Sequence, residues 1–210
     1  MPNKYAEIFF TETVQSLQRE RGSHHIYGPQ LKGADTHFAL TLNEQNFIEA
    51  RDSFYLASIT EDSWPYVQHR GGPPGFLKIL NERTLGFADF SGNMQFMSAA
   101  NFKNSNRVMM FLMDYVNRRR LKIAGLVTVI DNNDPRFAQL DLGNYRATPE
   151  RGIIIEVQGF DWNCPQHITQ RFDKPTVDRA VEQMLATIDD LKKQVADLTE
   201  QLNQTNQPKN

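Results

Sequence analysis

A single cysteine, Cys164, stands in the 210-residue chain. It excludes an intramolecular disulfide framework and suits a reducing compartment. Long apolar runs are equally scarce: no stretch of about 18 such residues offers a membrane span, and the N-terminus has no basic, apolar and small-residue order of a signal peptide. These absences predict a cytoplasmic protein with no membrane partner. A basic excess is also missing. With a net charge of −2, no surplus of cations exists to neutralise a nucleic-acid backbone, so positive side chains must act locally. Composition is otherwise globular, 40% hydrophobic and 23% charged.

The familiar catalytic signatures are lacking too. There is no Gly-x-Ser-x-Gly elbow, no Gly-x-Gly-x-x-Gly and no Walker loop. Cys164 with His167 is a lone pair whose commoner meaning is a turn cysteine beside Pro165. His24, His25 and His37 fall in a polar segment without metal-ligand spacing, and no metal is expected. No side chain is singled out as catalytic.

What is present reads as β structure framed by helices. A lead-in helix is predicted over about Lys4 to Glu20, ended by Gly22. Thr41 and Glu44 form a capping box ahead of a short helix from Leu42 to Arg51. Strand formers then dominate: Phe54 to Thr60 and Trp64 to His69 make a hairpin around Glu61-Asp62-Ser63. Further strands are predicted at Phe76–Leu80, Thr84–Ala88, Arg107–Met113, Leu121–Ile130 and Gly152–Phe160, with a short helix between Ala88 and Arg107. Many short antiparallel strands interrupted by brief helices indicate an α+β antiparallel barrel. Three segments follow: an N-terminal helix and polar lead-in over 1–41, a barrel domain over 42–172, and a C-terminal helix with a tail over 173–210.

In that last segment Val177, Val181, Met184, Ile188, Leu191, Val195, Leu198 and Leu202 recur in alternating steps of four and three. Valine and isoleucine at a with leucine at d favours a parallel two-stranded coiled coil. The alternative is a helix folded back on its own barrel. The tail from Asn203 is expected to fray.

The chemistry concentrates in Tyr66 to Lys78. Arg70 is followed by Gly71-Gly72-Pro73-Pro74-Gly75 and a second apolar run carrying Lys78. Glycines can bring amide groups close to an anion, and the two cations can flank it. A tight strand connection with two solvated cations has the same composition. Asn93, Gln95 and Ser98 are further polar candidates. Along Arg118-Arg119-Arg120-Leu121-Lys122, alternation directs Arg118, Arg120 and Lys122 to one face and Arg119 to the other.

Taken in order, His69-Arg-Gly-Gly-Pro-Pro-Gly-Phe-Leu-Lys78, Gly86-Phe-Ala-Asp-Phe-Ser-Gly-Asn-Met-Gln-Phe-Met-Ser98, Arg107 to Gly125 and Asp161-Trp-Asn-Cys-Pro-Gln-His167 resemble the pyridoxamine 5′-phosphate oxidase-like flavoproteins, over about residues 42 to 172. The resemblance implies a split β-barrel, a homodimer and FMN held at the subunit interface. It also implies an oxidoreductase moving hydride or electrons to or from a small molecule, with NAD(P)H as a candidate donor. A flavin-binding or storage module related to stress would carry the same motifs. Residue by residue, Arg70 and Lys78 match the first flavin motif, one turned to the phosphate and the other to the isoalloxazine. Ser98 falls where the second phosphate motif has lysine or arginine, and Arg120 where the oxidase has a flavin-contacting glutamine. Trp162 and Arg171 resemble the late tryptophan and arginine. These departures bear on pyridoxamine phosphate as substrate more than on flavin.

Overall fold

The computed structural model describes residues 3–32, 36–92, 94–143, 145–162 and 165–205, with side chains to Leu202. They fall into two compact units, Met1–Ile168 and Thr169–Asn210. The first opens with α1 (Lys4–Phe9), α2 (Glu12–Glu20) and α3 (His24–Tyr27). The single lead-in helix is therefore broken at Phe10 and Thr11. The physical reason is local: the Thr11 hydroxyl accepts from the Val14 amide and starts a new helix, while the Gln15 side chain ties off the Phe10 carbonyl at 2.8 Å. Gly22 then takes φ +74°, a conformation suited to ending a helix.

Helix α4 (Leu42–Glu49) carries the predicted capping box, with both reciprocal bonds of Thr41 and Glu44 in place. The strands follow as β1 (Ser53–Ile59), β2 (Pro65–Gly71), β3 (Lys78–Asn81) and β4 (Thr84–Phe90), then α5 (Met97–Asn104), β5 (Arg107–Asp114), β6 (Arg119–Ile130) and β7 (Pro149–Trp162). Strand β3 begins two residues later than predicted. Gly75 at φ +82° and the Phe76 amide bonded to the Pro73 carbonyl keep the chain in a turn up to that point.

All pairings are antiparallel, in the order β2-β1-β5-β6-β7-β4-β3. The result is an α+β split barrel with short helices. Alternation builds its core: Phe54 and Leu56 of β1, Val108, Met110 and Leu112 of β5, and Leu121 and Ile123 of β6 are buried. Three strands separate β1 from β4 in the sheet, yet Phe54 meets Phe87 edge-on at 5.3 Å. Sheet curvature makes that contact possible. It also brings β2, at one edge, within reach of β4 near the other, and the functional candidates lie at this junction.

Helix α1 lies across β7 because Gly159 has no side chain: a Cβ there would stand 2.7 Å from the Tyr5 nitrogen. The second unit contains α6 (Lys174–Thr205), 32 residues long, and no helix among the described residues is long and apolar enough to cross a membrane. The predicted frayed tail begins within α6, and residues 206–210 lie outside the described residues.

Candidate functional site

Arg70 sits near the end of β2 with its side chain turned into the barrel split, where it bonds Asp89 of β4 at 2.5 Å. Asp89 is opposite Arg151 of β7 in the strand register, and its second carboxylate oxygen lies 3.3 Å from the Arg151 guanidinium. Arg151 also bonds Glu150 at the rim. Two half-buried arginines thus share one half-buried carboxylate. The Arg70 Nε is buried without a hydrogen-bond partner among the described residues, and the Arg151 Nε faces the Asp89 carboxylate at 3.3 Å without hydrogen-bond geometry. Such donors are costly to leave unmade, so they mark a place for an acceptor.

Helix α5 forms the other wall. Met97, Ser98 and Ala99 of its first turn line the cleft together with Tyr66, Gln68 and Gln95. The N-cap residue, Phe96, provides no side-chain cap. First-turn amides and the helix dipole favour an anion at that end. Buried Ser98 donates to the Gln68 side chain at 2.7 Å, and Asn101 donates to Ser58 at 2.9 Å, so α5 is pinned to β2 and β1. Met94 and Phe96 take φ of 59° and 53°, a left-handed conformation that costs non-glycine residues about 1 kcal/mol or more each. The Phe96 ring lies 5.6 Å from the Arg151 guanidinium carbon.

The cleft is open on one side, with a cavity volume of about 90 Å³. Its depth and polar lining suit a small anion such as a phosphate group. The residues therefore fit the phosphate end of FMN. Asp89 opposes this binding by occupying part of each guanidinium.

The structure gathers Arg70, Gln95 and Ser98 around this cleft. Lys78 is elsewhere: it begins β3 opposite Gly86 and does not line the cleft. The glycines of the Gly-Pro turn do not line it either, and the Gly72 amide donates to the Asp52 carbonyl. Asn93 lies outside the described residues, as does Cys164. Arg171 belongs to the second unit.

Arg120 and Trp162 are far from the cleft within one chain. Arg120 lies opposite Met113 on β6, its Nε buried without a partner among the described residues. Trp162 ends β7, roughly 35 Å along the strand from Arg151. Its indole N–H donates to Glu44 at 2.7 Å, its ring meets Phe47 edge-on, and Arg119 covers its face at 4.4 Å. Burial raises the Glu44 pKa, but hydrogen bonds from Thr41, Trp162 and Asn43 outweigh it and hold the carboxyl below its ordinary value. Lys122, on the face opposite Arg119, bonds Asp161 at 2.7 Å.

Asp89, Arg151 and Gln68 were not singled out in the sequence. Asp89 stands inside the second resembling motif, which was a signal. Arg151 becomes recognisable only through the β4–β7 register.

No protein-family model matches the chain, and no curated protein matches it. Solved structures do. One is a candidate pyridoxamine 5′-phosphate oxidase from Lactobacillus delbrueckii, 17% identical, covering 59% of this chain and 93% of that one at a TM-score of 0.46. Another is an FMN-binding protein from Syntrophomonas wolfei, 11% identical, covering 72% and 97% at 0.46. A third is HutZ, the haem storage protein of Vibrio cholerae, 12% identical, covering 59% and 94% at 0.42. The structures to which this chain is similar thus include pyridoxamine 5′-phosphate oxidase-type and FMN-binding proteins together with a haem-storage protein.

Proposed function

We propose that the protein binds FMN, with the flavin phosphate in the barrel split, and acts as a cytoplasmic FMN-dependent oxidoreductase on a small molecule with a nicotinamide dinucleotide as donor. The observation that carries this reading is the Arg70–Asp89–Arg151 cluster beside the first turn of α5, in which the Arg70 Nε is buried without a hydrogen-bond partner among the described residues. The motif resemblance supplies the identity of the anion. Within the cleft Arg70 and Arg151 hold the phosphate, Gln68 fixes the Ser98 hydroxyl, and the α5 amides face the charge. Bound flavin supplies hydride or electron transfer and requires no acid or base from the chain. Lys78 would then sit towards the ring, where its charge favours the reduced, anionic form.

A homodimer belongs to this reading. The outer face of β2, β1 and β5 presents Val67, Tyr55 and Ile59 exposed, alongside half-buried Met109 and Phe111. That contiguous apolar surface is suited to a second copy. The separation of Arg120 and Trp162 from Arg70 within one chain also fits a flavin site shared between subunits.

The test is the absorbance spectrum of the purified protein, with the released chromophore identified and NADH or NADPH then added to the holoprotein. FMN at about one per chain, reduced by the nicotinamide, is expected. A protein that holds FMN but is not reduced would be a storage module. A protein that neither contains nor takes up FMN would contradict the reading.

A further inference from the structure

The strongest feature unused by the flavin reading is α6. It runs unbroken from Lys174 to Thr205, about 48 Å at 1.5 Å per residue. Val177, Val181, Met184, Ile188, Leu191, Val195, Leu198 and Leu202 are all exposed. Their steps of four and three place them on one seam through almost four heptads. A helix gains little stability in water from such a seam until something covers it.

We propose that the seam pairs with α6 of a second copy of this chain, as a parallel, in-register, two-stranded coiled coil. Three observations select that occupant. The a positions are Val181, Ile188, Val195 and Leu202 and the d positions Val177, Met184, Leu191 and Leu198; β-branched side chains at a with mainly leucine at d pack in parallel pairs. From Val177 to Leu202 no polar residue interrupts a or d; the one polar a residue, Lys174, stands at the first residue of α6. The flanking positions also accept a like copy. In parallel register Ala180 meets the partner's Leu185, Thr187 the partner's Lys192, and Gln194 the partner's Thr199, so no like charges face each other along these three pairs; Asp173, which would face the partner's Asp178, precedes α6. A different helix would be selected by opposite charges at these positions, and α6 carries no such code. Between Val177 and Leu202 the charged residues lie outside a and d, where Lys192 pairs with Asp189, and Lys174 at the helix start pairs with Asp178 of its own helix.

This inference is independent of the flavin site. Its test is position-specific crosslinking of the full chain in a Cys164→Ser background. Val181→Cys and Leu198→Cys, near opposite ends of the seam, are compared with Arg179→Cys on the outward face, each oxidised with diamide. Parallel register places each seam cysteine against its own copy. Both seam variants should form interchain disulfides at least tenfold faster than Arg179→Cys, and the added change Ile188→Lys should abolish the difference. Crosslinking at Ile188→Cys alone would indicate antiparallel pairing and overturn the proposal. Seam cysteines no faster than Arg179→Cys would overturn it as well, as expected of a helix covered by its own chain. Flavin content, measured in parallel, reports on the other site separately.

Discussion

Strand β7 connects two polar clusters that differ in how completely their groups are matched. At its end, Trp162 donates to Glu44, Glu44 accepts from Thr41 and Asn43 as well, and Arg119 bonds Asn43 while covering the indole. Nearby, Arg51 uses its guanidinium on the Phe47 and Met113 carbonyls and on Asp114. At the start of the strand, Arg151 and Arg70 share Asp89, and the Arg70 Nε is buried without a hydrogen-bond partner among the described residues. A saturated cluster of this kind holds helix α4 to the barrel. The less saturated one is the proposed anion site, and its unmet donor costs local stability.

The sharpest break between the two is expected from Glu44→Ala. It removes the capping box and leaves the Trp162 donor without its carboxylate, costing about 3 kcal/mol of folding stability. Denaturant unfolding should show that loss while the flavin content of the folded protein stays the same. Arg70→Ala is expected to do the reverse. Removing one charged donor costs about 2 kcal/mol of binding, roughly 30-fold in FMN affinity by fluorescence titration, with a smaller change in unfolding. Asp89→Asn sharpens the comparison in the opposite direction. Freed from their internal carboxylate, the two arginines should bind FMN about tenfold more tightly, or roughly 1.4 kcal/mol, as the folded protein becomes less stable.

The clusters should also separate in acid. Glu44 and Asp114 titrate below their ordinary values: burial raises both, while hydrogen bonds from Thr41 and Trp162 on one and from Asn117 on the other, with Arg51 adding attraction to Asp114, bring them down. A depressed native pKa stabilises the fold above the ordinary carboxylate range, and that stabilisation is lost as pH falls through the lower native value. The stability advantage of the wild type over Glu44→Gln should therefore shrink as pH drops below 4.5, the ordinary glutamate value. Melting curves against pH would show it. The smallest effect on stability belongs to Trp162→Phe, which keeps a ring against Phe47 and loses one hydrogen bond: about 1 kcal/mol in denaturant unfolding.

Much of this architecture is legible from local pattern. Alternation marks Phe54, Leu56, Val108, Met110 and Leu112 as one buried face, and Thr41 with Glu44 announces α4, because both signals act within a few residues. The break at Thr11 is less legible because Tyr5, Ile8, Phe9 and Leu17 continue a helical spacing across it while a single hydroxyl starts a new helix. The site divides in the same way. Arg70 stands out in sequence, but its partners Asp89 and Arg151 come from strands brought together only by sheet curvature and the β4–β7 register. The glycine-proline turn draws attention by composition, yet Gly72 and Gly75 serve the turn itself.

The central claim is that the barrel split binds the phosphate of a flavin. The most direct measurement is parallel titration of the flavin-free protein with FMN and with riboflavin, which differs by lacking the phosphate, repeated on Arg70→Ala. The account predicts one FMN per chain, riboflavin bound at least tenfold more weakly, and most of that preference lost in the variant. Equal affinity for the two flavins, or an FMN preference that survives Arg70→Ala, would contradict it.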